Sequence, residues 1–310
     1  MQAKGTKMDQ MPIVDPHHHF WDLARNRHPW LQDEPPIPFR YGDYSALKTN
    51  FMPADYERVS AGHRIVATVT VEAEWDPQDP IGETRWIDSV ARDHGRPQAH
   101  VAQAWLDRDD VEEVLAAQAA FAIVRGIRHK PRAAARPDLV VEGTPGSMSD
   151  PRWRRGYGLL GEHGLHFELQ VPWWHAREAL GLLEAFPETV LVLNHAGLPG
   201  TREPEVLAGW RDGMRLLAQV PNVAVKISGL GLRDRPLSLD DNRQVIRDLI
   251  DIFGVDRAMF ASNFPVDGLC GSFDTIYRGF KAAVADLDAD ERRKLFHDNA
   301  VRIYRLDTRE

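Results

Sequence analysis

The chain has a single cysteine, Cys270, among 310 residues, which excludes an intramolecular disulfide framework and fits a reducing compartment. No apolar run approaches the ~20 residues that a membrane-spanning helix needs. The opening MQAKGTKMDQM is polar and lacks the apolar core of a signal peptide, so the expected compartment is the cytoplasm. Positive charge is not in excess. The formal net charge is −8, so no basic face for sequence-blind nucleic-acid binding is expected. No internal repeat of 20–50 residues and no low-complexity tract stands out. Against these absences, thirteen histidines and nine tryptophans are a surplus.

Eight short β-rich runs alternate with longer helical patterns. The runs are IVDPHHH (13–19), RIVATVTVEA (64–73), HVAQAWLD (100–107), AIVRGIRH (122–129), LHFELQVP (165–172), TVLVLNHAG (189–197), VAVKISGL (223–230) and RAMFASNFP (257–265). Helical stretches between them include IGETRWIDSVARDH, DDVEEVLAAQAAF, EPEVLAGWRDGMRLLAQ and LDDNRQVIRDLIDIFG. Asp109 or Asp110 is a candidate cap for the second, and Gly254 a terminator for the fourth. Eight strand–helix alternations predict an α/β fold, a (β/α)8 TIM barrel with a long insertion after strand 1. An open doubly wound sheet would carry a Gly-rich phosphate loop after its first strand, and IVDPHHHF has no glycine. Residues 1–12 are expected to form a flexible N-terminal segment, and 13–310 a single barrel domain. The insertion, rich in proline and aromatics, would lie over the C-terminal mouth, where barrel active sites sit.

Side chains alternate along a strand, so His17 and His19 share one face while His18 takes the other, packed structurally. H-x-H on a strand is a pair of imidazoles able to bind one divalent ion, but alone it is a weak signal. Other strand ends add polar groups. His195 follows an apolar strand, where it is either a site group or a satisfied core histidine. Arg128, His129 and Lys130 end the fourth strand. Lys226 and Ser228 share a face of the seventh, and Ser262, Asn263 and Asp267 close the eighth. Arg128 reads equally as a substrate-binding guanidinium or one half of a structural ion pair. Lys226 reads as a substrate contact or a partner for Glu72 or Glu168. Trp21, Trp30, Trp173 and Trp174 are candidates for lining a pocket or for core.

The segments DPHHHFWD, RGIRH, NHAG, KISGL, ASNFPVD and NAVRIYRLD together resemble the amidohydrolase superfamily, specifically the amidohydrolase-2 branch that includes 2-pyrone-4,6-dicarboxylate lactonases and L-fuconolactonase-type sugar lactonases. That resemblance implies a hydrolase opening a lactone or related cyclic ester at the barrel mouth. It implies a divalent metal, zinc, on His17, His19 and His195, and catalytic roles for His195, Asn263 and Asp267. Arg128, His129 and Lys226 are the expected substrate-binding residues. The partner is a small molecule, a lactone bearing a carboxylate or hydroxyls, with no nucleic acid and no membrane; a homo-oligomer is compatible with this reading.

One position departs from the branch. Its lactonases usually end the last strand in a G-S-D-W-P-like run whose aspartate is the base, and here the run is Ala261-Ser262-Asn263-Phe264-Pro265. An amide cannot take a proton from water near neutral pH. Asp267 taking over, His195 acting as base, or loss of hydrolysis are the three explanations, with His195 favoured. The other functions left open are a metal-dependent decarboxylase of an aromatic acid, a class that also keeps the aspartate, and a non-catalytic small-molecule-binding relative.

Overall fold

The computed structural model describes residues 10–307. Most of the expected N-terminal segment, residues 1–9, therefore lies outside the described residues. Eight strands among the described residues run parallel in the order β1 to β8, each hydrogen-bonded to the next: β1 Ile13–His18, β2 Ile65–Val71, β3 Ala99–Gln103, β4 Val124–Arg128, β5 His166–Leu169, β6 Leu191–Leu193, β7 Val223–Ile227 and β8 Ala258–Phe260. Helices α1 Pro53–Ser60, α2 Gly82–His94, α3 Val111–Ala119, α4 Pro151–Gly158, α5 Ala176–Ala185, α6 Pro204–Ala218, α7 Leu239–Phe253 and α8 Phe273–Ala283 follow the strands in turn. This is the (β/α)8 barrel.

The ring closes through two backbone bonds just beyond the last strand. Asn263 N–H donates to the His17 carbonyl at 2.8 Å, and His19 N–H donates to the Phe264 carbonyl at 2.8 Å. Asp15 reinforces the seam, accepting from Ser262 N–H at 2.9 Å, Ser262 Oγ–H at 2.6 Å and Tyr56 O–H of α1 at 2.8 Å. Burial raises the Asp15 carboxyl above its ordinary range, against the pull of these donors.

Outward side chains of the strands pack on the helices; Phe167 of β5, for instance, meets Trp153 and Tyr157 of α4 at ring separations of 5.5 and 5.1 Å. At the strand N-termini, Val14, Val192, Ala224 and Met259 pack with Ile303 and Tyr304 from the C-terminal segment. The terminator expected at Gly254 is found, and the cap expected before α3 is not. Ser238 caps α7 through the Asp240 N–H, and Gly254 ends it at φ 76°. Asp110 precedes α3 without capping it, because Arg108 takes both of its carboxylate oxygens at 2.7 Å.

Most of the predicted β-runs extend past their hydrogen-bonded ladders at the C-terminal end. After β6 and β8 the reason is backbone conformation: His195, Ala196 and Asn263 sit at φ 51°, 57° and 52°, in the left-handed region that an extended strand does not adopt. Over that end lie residues 19–52. Their base is clamped by reciprocal backbone bonds between Trp21 and Phe51, and Trp30 stacks on Phe39 at 5.8 Å.

Asp15→Ala would remove the acceptor shared by three buried donors, of which Ser262 Oγ–H alone keeps a second acceptor, the His17 carbonyl at 3.3 Å. It is expected to destabilise the protein by about 3 kcal/mol or more, measured as a lowered urea midpoint; a shift below the scatter of surface substitutions would show that the seam does not depend on it.

Candidate active site

Strand parity is obeyed. The His17 and His19 rings lie 5.1 Å apart on the inner side, whereas His18 packs outward between Phe20 and Tyr56 at 4.7 and 4.5 Å. The β6 turn brings His195 to 4.6 Å from His17. A pocket of about 230 Å³ opens above them, lined by His19, Arg40, Arg128, Lys130, Gln170, His195 and Asn263 and roofed by Trp30 and Phe39.

Beneath the pocket runs a row of buried charges. Glu72 takes Arg128 Nε at 2.5 Å, Arg128 Nη1 stands 3.5 Å from His17 Nε2, and Lys226 Nζ stands 3.4 Å from His17 Nδ1. Glu168 in turn accepts from Lys226 Nζ at 2.5 and 2.7 Å, from Tyr304 O–H at 2.5 Å and from Asn194 Nδ2 at 2.7 Å. Burial alone would raise the Glu168 carboxyl, but Lys226 and His166 override it and hold it below its usual range. Burial also lowers Lys226 to about 8, Glu168 opposing. Both partners stay charged at neutral pH.

The inner histidines are all neutral. Burial, then Lys226 and the neighbouring imidazoles, hold His17 well below its ordinary value. Burial and Arg128 take His19 to about 3, with its Nδ1 on the Val71 carbonyl at 2.7 Å. Burial, Arg40 and Arg128 depress His195, whose Nδ1 faces Ser228 Oγ at 3.0 Å. Its other nitrogen is left for the pocket that His195 lines.

Asp267 does fold back to the site, on the turn Val266–Leu269. Its carboxylate is committed to protein donors: Tyr41 O–H at 2.9 Å, Asn263 Nδ2 at 2.7 Å and Gly229 N–H at 2.9 Å. Burial raises its pKa, while Arg40 opposes. Asp267 therefore anchors Asn263, whose side chain also reaches His19, and does not itself line the pocket.

A family model described as amidohydrolase matches residues 14–306. The chain is an amidohydrolase-family protein. Its relatives include y4mH of Sinorhizobium fredii, 38% identical, which covers 96% of this chain and all of the relative. An L-fucono-1,5-lactonase of Burkholderia ambifaria is 28% identical over 95% of this chain and 96% of its own length. Among solved structures, an amidohydrolase from Burkholderia multivorans with bound zinc matches at TM-score 0.77 and 26% identity, covering 95% of this chain and 99% of the other.

Zinc in that neighbour makes metal fit a direct question for this amidohydrolase. The three expected ligands are adjacent, but among the described residues no three His, Cys, Asp or Glu side chains are arranged to hold a metal ion. His17, the middle member, has a cation against each nitrogen, and the neutral Asn263 adds no charge. The donor set fits a metal ion poorly in this arrangement: an ion on His17, His19 and His195 would meet Arg128 and Lys226 at close range, and Glu72 and Glu168 are already paired with those cations.

Two of the expected substrate-binding residues, Lys226 and His129, do not line this pocket. Lys226 is fully buried and ion-paired to Glu168, so it positions His17 from below. His129 lines an adjoining cavity, and its Nδ1 accepts from Leu106 N–H at 3.1 Å and Trp153 Nε1 at 3.0 Å. Arg128 takes both expected parts, pairing with Glu72 and lining the pocket. Of the tryptophans, Trp30 roofs the pocket, Trp21 is core, and Trp173 packs on the glycines of α6. Sequence reasoning missed Arg40 and Gln170. Gln170 lies two residues beyond Glu168, a parity signal that could have found it; Arg40, in the long segment, had none.

Lys226→Met should cost about 3–5 kcal/mol in chemical denaturation by stranding Glu168, and Glu168→Gln added to it should restore part of the loss. No restoration would break the pairing argument. Dialysis against a chelator is expected to leave melting temperature and activity unchanged; a loss that zinc reverses would overturn the donor-set reading.

Proposed function

We propose that this amidohydrolase opens a lactone bearing carboxylate or hydroxyl groups, with His195 as the base. The observation that carries the reading is a neutral imidazole and a guanidinium, His195 and Arg128, on the walls of one small pocket. The His195 nitrogen opposite Ser228 takes a proton from water as its oxygen attacks the lactone carbonyl carbon. Asn263, fixed by Asp267, accepts from the same water and orients it. The carbonyl oxygen gains negative charge, which the buried Arg128 guanidinium stabilises. The ring C–O bond then breaks, and the proton held by His195 passes to the leaving alkoxide. Arg40 and Lys130 supply positive charge for a substrate carboxylate or polar ring substituents.

The lactonase relative supports this chemistry. Decarboxylation of an aromatic acid, the competing reaction, has no use for an attacking water oriented by Asn263.

His195→Gln is expected to lower kcat on a panel of sugar and dicarboxylate lactones by about 10²–10⁴. Retention of full activity on the lactones that the wild type opens would falsify the assignment. The active form of His195 is the neutral one, and its folded pKa lies well below 6.5. The kcat/KM profile should therefore stay flat as pH falls through 6.5, where an ordinary histidine would protonate; an acid limb centred there contradicts the reading.

A further inference from the structure

The pocket over His195 does not end at Lys130. A second cavity of about 410 Å³ adjoins it, and the two share Trp30, Glu74 and Lys130 in their walls. Three half-buried indoles, Trp30, Trp75 and Trp105, line this outer cavity. Flat aromatic faces suit the apolar face of a ring ligand.

Two polar groups decide what kind of ring. Gln103 is 8% exposed and lines the cavity; its Oε1 is shut off from the cavity, so its Nε2 amide, which donates to no protein group, is the polar atom the cavity reaches. A donor placed so calls for an acceptor from the occupant. His129 supplies a second donor. Its Nδ1 accepts two bonds from the protein, so its proton is on Nε2, a donor at the cavity wall. A plain aryl ring would stack on the indoles but leave Gln103 unpaired. A hydroxylated ring answers both groups.

We propose that the outer cavity is a subsite for a second, hydroxylated sugar ring. The preferred substrate is then a glycosylated lactone, its lactone ring at His195 and its sugar among Trp30, Trp75 and Trp105. This rests on the hydrolysis proposed above for the substrate class, and on the cavity alone for the sugar.

The test compares D-glucono-1,5-lactone with cellobionolactone and lactobionolactone on the wild type, Trp75→Ala and Gln103→Leu, each variant checked for an unchanged melting profile. The disaccharide lactones are expected to have a kcat/KM higher by about tenfold or more, carried mainly by KM, and both variants should erase most of that advantage. Equal kcat/KM for one- and two-ring lactones, or an advantage that survives in both variants, overturns the subsite. If no lactone is opened, the hydrolytic reading fails separately. Calorimetry with cellobiose then decides the subsite: binding to wild type that Trp75→Ala abolishes upholds it, and no binding to wild type rejects it.

Discussion

His17 is held between two cations, and each cation is held by its own buried carboxylate. The row Glu72–Arg128–His17–Lys226–Glu168 crosses the barrel interior, with partners drawn from five different strands or their ends. Buried charges persist only when paired and hydrogen-bonded, and here every one is. The consequence reaches the pocket above. Burial, reinforced by the positive charge beneath, holds the imidazoles unprotonated, and a cation stands against each side of His17, the middle member of the expected metal set.

The same row explains how Asn263 is tolerable where the family resemblance led one to expect aspartate. A carboxylate at that position would add an anion beside Asp267, whose own burial already disfavours its charge. The amide instead donates to Asp267, and the residue still lines the pocket. In the proposed mechanism, proton acceptance passes to His195 and orientation stays with Asn263. Both residues have left-handed backbone conformations, and neither strand could deliver its side chain over the mouth if it continued in extended form.

Much of this was legible in the chain. Eight β-rich runs alternating with helical patterns specified the barrel, because the period of burial in each element is local. The parity that separates His17 and His19 from His18 was equally local. Strand ends were less legible: most of the predicted runs overshoot the ladders, since the residues that leave the sheet remain apolar or β-prone and only φ distinguishes them. The Asp110 cap failed for a similar reason, an arginine two residues away being a better partner than a helix amide.

Which residues do chemistry was partly written in the sequence and partly not. Strand alternation placed polar groups at successive strand ends, and that alone marked the mouth as the site. Whether Arg128 and Lys226 face a substrate or a carboxylate depended on which strands stand opposite each other across the barrel, and pairings such as Lys226 with Glu168 span 58 residues. Arg40 and Trp30 come from a long segment whose path over the mouth is set by its own aromatic stacking and its clamp at Trp21 and Phe51, and the outer cavity forms only where that segment meets Trp75 and Trp105 from the connections after β2 and β3. Local periodicity determined the fold, because burial patterns repeat within each element. Charge pairing across the closed ring, which no single element encodes, decided the electrostatics of the site.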